Sequence, residues 1–364
     1  MTSSDYSYLV KNVFRNCTVE KIEVVQSLWS GYGEISRFKV TNNQTNPFFC
    51  ILKYVDLTKQ ADHPRGWSGE FAHTRKLNSY INELNFYQEC AGSPKNLGRI
   101  PKLFASQCKH NFIWLLMEDL DHQGFQYRIE PSVLYTNDDN TFTAVQTSQL
   151  SPYNIKLNTS NYLEIIRLTI KWLAVLHADY TNHIPESLNM KGTYWHLATR
   201  PDELNQMPNS KLKRTASIID SKLNDATFQT LLHGDAKIAN FCFSELHSKS
   251  EQTHGKVAAV DFQYVGKGVG VKDLIYFLGS CFDESKLFIY ANELIECYFE
   301  ELKINLQNKS PLSKTEIQLL EKEWRYLICF AWADFERFLQ GWAPRHPKLN
   351  GYSGLQTKEA LKQI

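Results

Sequence analysis

Between residues 231 and 241 the chain reads Leu231-Leu232-His233-Gly234-Asp235-Ala236-Lys237-Ile238-Ala239-Asn240-Phe241. This short segment holds a carboxylate, an amine two residues on and an amide five residues on. A second carboxylate follows 26 residues after Asp235, in Val260-Asp261-Phe262-Gln263. Alone, either aspartate would read as a turn residue closing a strand end, a common use of Asp. With Lys237 and Asn240 in place, they make up what phosphoryl transfer needs. That is a carboxylate for a hydroxyl proton, a cation for the γ-phosphate, and amide and carboxylate ligands for Mg²⁺. His233 and His254 beside the two aspartates suggest a metallohydrolase instead. Against that, His254 falls in a polar turn, and the sequence has no His-x-His or H-E-x-x-H pair.

These residues must be held by two kinds of element. The first third reads as strands, Lys21–Ser30, Glu34–Thr41 and Pro47–Val55, rich in β-branched and aromatic residues and separated by turn-forming segments. Residues 77–90 switch to a helical period, and two more strand-like runs, Lys102–Gln107 and Phe112–Met117, follow. Alternation puts Lys53 on the same strand face as Phe49, Ile51 and Val55. An ammonium buried there needs an anionic partner, unless the strand is an edge from which the side chain snorkels outward. Glu83, at the margin of the helical face made by Tyr80, Leu84 and Tyr87, is that partner or else a solvated helix residue. In Ser30-Gly31-Tyr32-Gly33, the two glycines would let backbone N–H groups approach phosphate, though a hairpin turn needs glycine too.

After Asp119 the texture changes. Residues 121–160 are polar and turn-rich, with two strand-like pieces, Gln126–Tyr135 and Thr141–Thr147, that read as an inserted hairpin. Leu163, Ile166, Ile170, Leu173 and His177 then mark an amphipathic helix, on which His177 reads as a packed core histidine. Beyond Lys272 the pattern is helical and aromatic, and Gly266-Lys267-Gly268-Val269-Gly270 reads as a flexible segment.

His233-Gly234-Asp235, Asn240 and Asp261-Phe262-Gln263 resemble the aminoglycoside phosphotransferase and choline kinase superfamily, relatives of the protein kinases. Met117-Glu118-Asp119-Leu120, Gly192-Thr193-Tyr194-Trp195-His196-Leu197 and Asp334-Phe335-Glu336-Arg337-Phe338 more closely resemble its ecdysteroid-kinase-like branch. The resemblance spans nearly the whole chain and implies an α+β, bilobal, protein-kinase-like fold. Residues 1–119 would form a nucleotide lobe with an antiparallel sheet and one helix. Residues 120–364 would form a larger, mostly helical lobe for catalysis and substrate, with 121–160 inserted as a hairpin. It implies ATP as donor with Mg²⁺, Asp235 as catalytic base, and Asn240 and Asp261 as metal ligands. Lys53 and Glu83 match the pair that positions nucleotide phosphates. Met117, Glu118 and Leu120 fall where the hinge meets adenine through its main chain. Ser36 stands where a third glycine of the protein-kinase loop would be, which leaves phosphate cradling by Gly31 and Gly33 open. Asp273 matches an acidic residue that braces the catalytic loop, or serves as a plain helix N-cap.

The reading is then an ATP-dependent kinase acting on a hydroxyl of a small molecule, with Lys237 neutralising the group in transfer. Tyr194, Trp195, His196, Trp332, Trp342 and Asp273 are candidates on the acceptor side. The aromatics among them would hold a quaternary ammonium by cation–π attraction or an apolar ring by burial, unless they simply pack the core. No dense acidic cluster suggests a polycationic aminoglycoside. A protein kinase is the enzymatic rival, but the dozen residues from Asp261 to Asp273 contain no Ala-Pro-Glu segment to anchor a peptide-docking loop. A nucleotide-binding scaffold without turnover would ordinarily lack one of Asp235, Asn240 or Asp261, and all three are present.

Composition agrees with that reading. In 364 residues, 40 Lys and Arg stand against 39 Asp and Glu, a net charge of +1 that gives no footing for a nucleic-acid partner. The eight cysteines are scattered without a CxxC pair, which fits a reducing compartment. No secretory signal opens the chain and no uncharged apolar run is long enough to span a membrane, so the expected location is cytoplasmic.

Overall fold

Alternating apolar residues build the first part of the molecule. The computed structural model describes residues 6–28, 31–43, 46–59, 70–90, 98–129, 142–147, 153–244 and 256–364. Helix α1 (Ser7–Val13) precedes strands β1 (Thr18–Ser27), β2 (Gly33–Thr41) and β3 (Phe48–Asp56), followed by helix α2 (Glu70–Cys90), β4 (Leu103–Lys109) and β5 (Phe112–Glu118). The five strands form one antiparallel sheet in the order β1-β2-β3-β5-β4. One face (Phe38, Val40, Cys50, Leu52, Trp114, Leu116) is sealed by Leu9 and Val10 of α1. The other (Val55, Ile113, Leu115, Met117) packs on Tyr80, Leu84 and Tyr87 of α2. Burial on both faces is why β3 reads as a nearly continuous apolar run. Helix α1 has only seven residues, too few for a helical period to register in the sequence.

The 121–160 insertion differs from the expected hairpin. Strands β6 (Tyr127–Ile129) and β7 (Phe142–Gln146) do pair, but β8 (Tyr153–Leu157) adds a third strand to the meander. Residues 130–141, part of that expectation, lie outside the described residues. The meander is also joined to the segment that follows Asp235. Phe243 of β10 (Phe241–Phe243) pairs with Tyr127, and β11 (Val257–Ala259) completes a sheet ordered β11-β10-β6-β7-β8. Such joins between distant segments leave no local signal.

Helix α3 (Thr159–Asp179) is capped by Asn158, whose side chain accepts the Asn161 N–H. Short helices α4 (Pro201–Gln206), α5 (Lys211–Arg214) and α6 (Ala216–Asn224) lead to β9 (Thr230–Leu232). Strand β9 pairs with β12 (Gly266–Gly268), so the segment read as flexible is a buried strand beside the one that leads into Asp235. Helix α7 (Val271–Cys281) is buried along its whole length, among α3, α8 (Glu284–Lys309) and α9 (Lys314–Trp342), and α10 (Gly351–Lys362) packs on α9. No helix among the described residues is long and apolar enough to cross a membrane, and all eight cysteines are free thiols.

The sheet-rich and helical parts are fastened along α2. Asn82 Nδ2 donates to the carbonyls of Gln263 (3.2 Å) and Val265 (2.9 Å), while its Oδ1 accepts the Asn189 N–H at 2.9 Å. Phe86 stacks on Phe262 with ring centroids 4.1 Å apart. Residues just beyond Asp261 are thereby tied to the helix that carries Glu83.

Candidate active site

Strand β9 leads into the 233–241 segment, whose sharp turn falls at Gly234, where φ is +78°. A Cβ there would lie 1.8 Å from the Tyr264 carbonyl oxygen, so only glycine fits. Asp273, in the first turn of α7, fixes the loop from beneath by accepting the N–H groups of His233 (2.6 Å) and Gly234 (3.0 Å). His177 Nε2 lies 3.3 Å from the same carboxylate, and its Nδ1 meets the Tyr298 hydroxyl at 2.7 Å. Asp273 is thus fully buried beneath the loop rather than on the wall of an acceptor cavity, and the helix N-cap position belongs to Gly270. His233 is spoken for as well, since its Nε2 lies 3.1 Å from the Val260 carbonyl oxygen. The other histidine of the metallohydrolase alternative, His254, lies outside the described residues.

Asp235 is oriented through both carboxylate oxygens. Its Oδ1 accepts the Tyr276 hydroxyl at 2.9 Å; its Oδ2 accepts Lys237 Nζ at 3.0 Å and Asn240 Nδ2 at 3.2 Å. Asn240 Nδ2 also reaches the Asp235 carbonyl at 2.8 Å, which leaves the amide oxygen available as a ligand. Burial and the neighbouring Asp235 push the Tyr276 phenol far above its ordinary range, so it stays a donor. Burial opposes the charge on Lys237, yet Asp235 and Asp261 outweigh it and hold the ammonium protonated.

Asp261 sits at φ +68°, a left-handed conformation that Asp tolerates better than most residues. Its Oδ1 is buried and has no hydrogen-bond partner among the described residues. Burial works against its charge, but Lys53, Lys237 and Lys76 outweigh that and keep the carboxyl below the usual range. An orphaned oxygen on an ionised carboxylate is a hard donor of the kind that suits Mg²⁺, and the Asn240 amide oxygen is another. The chain's residues therefore fit the ion.

Lys53 and Glu83 meet at 2.5 Å and are both buried. Burial raises the Glu83 carboxyl and Lys53 opposes the rise. Lys76, which the sequence reading did not single out, donates to Gln263 Oε1 at 2.7 Å and lies near the same acids.

A cavity of about 540 Å³ opens over these groups. Asp235, Lys237, Asp261 and Tyr194 line it, together with Tyr276, Arg200, Phe335, Phe338, Trp342 and Lys348. A second cavity of about 410 Å³ lies beyond Tyr194 and contains His196, whose imidazole burial pulls down to about 3. Trp195 and Trp332 line neither, because both are fully buried in the core. Arg337 Nη2 donates to the Trp195 carbonyl at 2.7 Å and is paired with Asp334, so two of the sequence motifs lock onto each other.

Gly31 turns with φ +73°, and a Cβ on Gly33 would collide with the Tyr54 carbonyl oxygen at 1.9 Å. Both glycines are accounted for by the hairpin, which folds back on Leu28 at the cavity edge. Met117, Glu118 and Leu120 are not on the cavity wall. Met117 and Leu120 are buried, and Glu118 pairs with Arg99 at 2.7 Å. Asp119 and Asp121 are held by Arg37 of β2, at 2.6 Å and 2.5 Å, in a buried network without a local sequence signature.

An antiparallel sheet with a buried Lys–Glu pair, joined to a helical part that carries Asp235, Asn240 and Asp261, defines a kinase-like fold. Residues 143–309 match the model of the ecdysteroid kinase-like family, which bears out over that stretch the resemblance read from the sequence. No curated protein matches the chain. Among solved structures, a microcompartment-associated aminopropanol kinase aligns at 12% identity over 97% of each chain with a TM-score of 0.42. An amicoumacin kinase in complex with AMP-PNP, Ca²⁺ and its ligand aligns at 10% identity over 99% of this chain and 93% of the other, with a TM-score of 0.42. A putative fructosamine-3-kinase from Haemophilus somnus 129PT aligns at 12% identity over 98% and 95%, with a TM-score of 0.37. These likenesses are too distant to bear on the chemistry of the site, which rests on its own geometry.

Proposed function

We propose that the protein is an ATP-dependent kinase that moves the γ-phosphoryl group of Mg-ATP to a hydroxyl of a small molecule. The observation that carries this reading is one cavity bringing together Asp235, Lys237 and the partnerless Oδ1 of Asp261, with the buried Lys53–Glu83 pair close behind. Asp235 Oδ1 accepts a single hydrogen bond, from Tyr276, and so has a lone pair for the acceptor's proton. The acceptor oxygen bonds to the γ-phosphorus, the bond to the β-phosphate oxygen breaks, and the hydroxyl proton passes to Asp235 as ADP leaves. Lys237 faces the group in transfer, and Lys53, set by Glu83, meets the other phosphates. Mg²⁺ held by Asp261 and the Asn240 amide oxygen would neutralise phosphate charge. Positioning and charge supply most of the acceleration in such transfers.

The test is ADP release across a panel of hydroxylated metabolites, sterols and amino alcohols, with Mg-ATP binding measured separately. Turnover on at least one acceptor is expected, and Asp235→Asn should lower it by at least about a hundredfold. Binding without turnover across the panel would favour a scaffold, and undiminished turnover by Asp235→Asn would remove the proposed base.

A further inference from the structure

The cavity is cationic beyond what its acids use. Five basic side chains line it, Arg75, Lys76, Arg200, Lys237 and Lys348, against the two acids Asp235 and Asp261. Lys237 is paired with Asp235, and Arg200 with Glu203 at 2.9 Å. Lys76 is hydrogen-bonded to Gln263, and Arg75 donates to the Thr199 carbonyl at 2.6 Å. Lys348 differs. Among the described residues its ammonium makes no hydrogen bond or ion pair, and instead lies 4.5 Å from the ring centroid of Tyr276 and 5.7 Å from that of Phe335.

The position of Lys348 is built rather than incidental. It sits in the turn between α9 and α10, where its N–H meets His346 Nδ1 at 3.2 Å and its carbonyl accepts the Ser353 hydroxyl at 3.1 Å. Ser353 and Asn350 form the capping box of α10, so the turn is fixed to a helix. Tyr276, over which the ammonium lies, is the residue that orients Asp235. Burial brings the amine down to about 8, with the Asp235 charge opposing only part of the fall. Around it, Phe335, Phe338 and Trp342 give an apolar wall. An ammonium held in an aromatic pocket without an acceptor is an anion site, and it repels amines.

We propose that Lys348 selects the acceptor by charge: the pocket takes a hydroxyl compound with an apolar ring and an acidic group, the ring lying on the aromatic wall and the anion on the Lys348 ammonium. This rests on the kinase reading for the word acceptor, but not for the anion site.

The two are separable by experiment. Naphthalene-2-carboxylate and naphthalene-2-carboxamide, which differ in charge and carry no hydroxyl, are titrated into the full chain and followed by tryptophan fluorescence. The carboxylate should bind about tenfold tighter or more, as a charge-assisted hydrogen bond implies. Lys348→Met should abolish the preference, while Lys348→Arg should keep it, which guards against a fold defect. Equal binding of the two probes to the unaltered protein overturns the proposal. So does an equal loss of both probes in Lys348→Met, or a loss of Mg-ATP affinity in that variant, which would assign the ammonium to the nucleotide. A carboxylate preference in a protein that turns over no hydroxyl compound would keep the anion site and remove the kinase reading.

Discussion

At the scale of single residues, the two acids of the site are set by opposite means. Asp235 is held by three donors, whereas Asp261 keeps its charge through surrounding cations and leaves one oxygen unpaired. Asp261→Asn preserves the side-chain shape and tolerates the positive φ, so the fold should survive with little change in melting temperature. Magnesium-dependent turnover should fall by two orders of magnitude or more, and a variant as active as the parent would remove Asp261 from the metal. Lys348 gives a pH signature with a definite sign. With its amine at about 8, raising the pH through that value removes the positive charge, so carboxylate affinity should fall from pH 7 to 9 while carboxamide affinity stays level. The charged and titratable groups facing it, Asp235, Lys237, Cys281, Tyr276 and His346, make Lys348→Met the necessary control. Asp235, Lys237 and Asn240 were legible because they share one loop, and Lys53 because a buried strand position demands a counter-charge. Tyr276, Lys76 and Arg37 were not, since each reaches its partner from a distant segment, and neither was Lys348, which lies in a turn without a motif.

At the scale of elements, the loop that carries Asp235 is shaped by two constraints that meet at Gly234. Its positive φ excludes most side chains, and the Tyr264 carbonyl leaves no room for a Cβ. Gly234→Ala should therefore abolish activity and lower stability by about 1–3 kcal/mol or more, read from thermal or denaturant unfolding. Asp273→Ala tests the brace from the other side. It strands two buried N–H groups, each worth about 1–3 kcal/mol when unsatisfied, and should cost turnover more than it costs nucleotide binding. An unchanged turnover with a lowered melting temperature would leave Asp273 purely structural. Element types were largely legible because the first sheet and the long helices carry clear periods. What escaped was pairing. Strand β12 reads as loose glycine-rich chain until β9 is placed beside it, and β8 reads as polar linker until β7 is.

At the scale of the whole molecule, the question is whether the sheet-rich part moves freely against the helical part. The hydrogen bonds of Asn82 argue that it does not along α2. One side chain satisfies two carbonyls, of Gln263 and Val265, and the Asn189 N–H, all from the helical part. Because the same helix carries Glu83, the link fixes Lys53 relative to Asp261 across the cleft. Asn82→Ala leaves two buried carbonyls and one half-buried N–H without that partner and should cost about 1–3 kcal/mol. Its larger effect should be on geometry. Hydrogen exchange in α2 and in residues 263–265 should speed up, and KM for ATP should rise severalfold with a smaller change in kcat, as expected when a binding surface is loosened rather than a reacting group removed. Asn82→Asp separates shape from bonding, since it fills the same space but cannot donate to the two carbonyls, and it should behave like Asn82→Ala. If instead either variant left exchange in α2 untouched, the two parts would be held by the Phe86–Phe262 stack and its apolar surroundings, and the nucleotide side of the site would owe its geometry to packing alone.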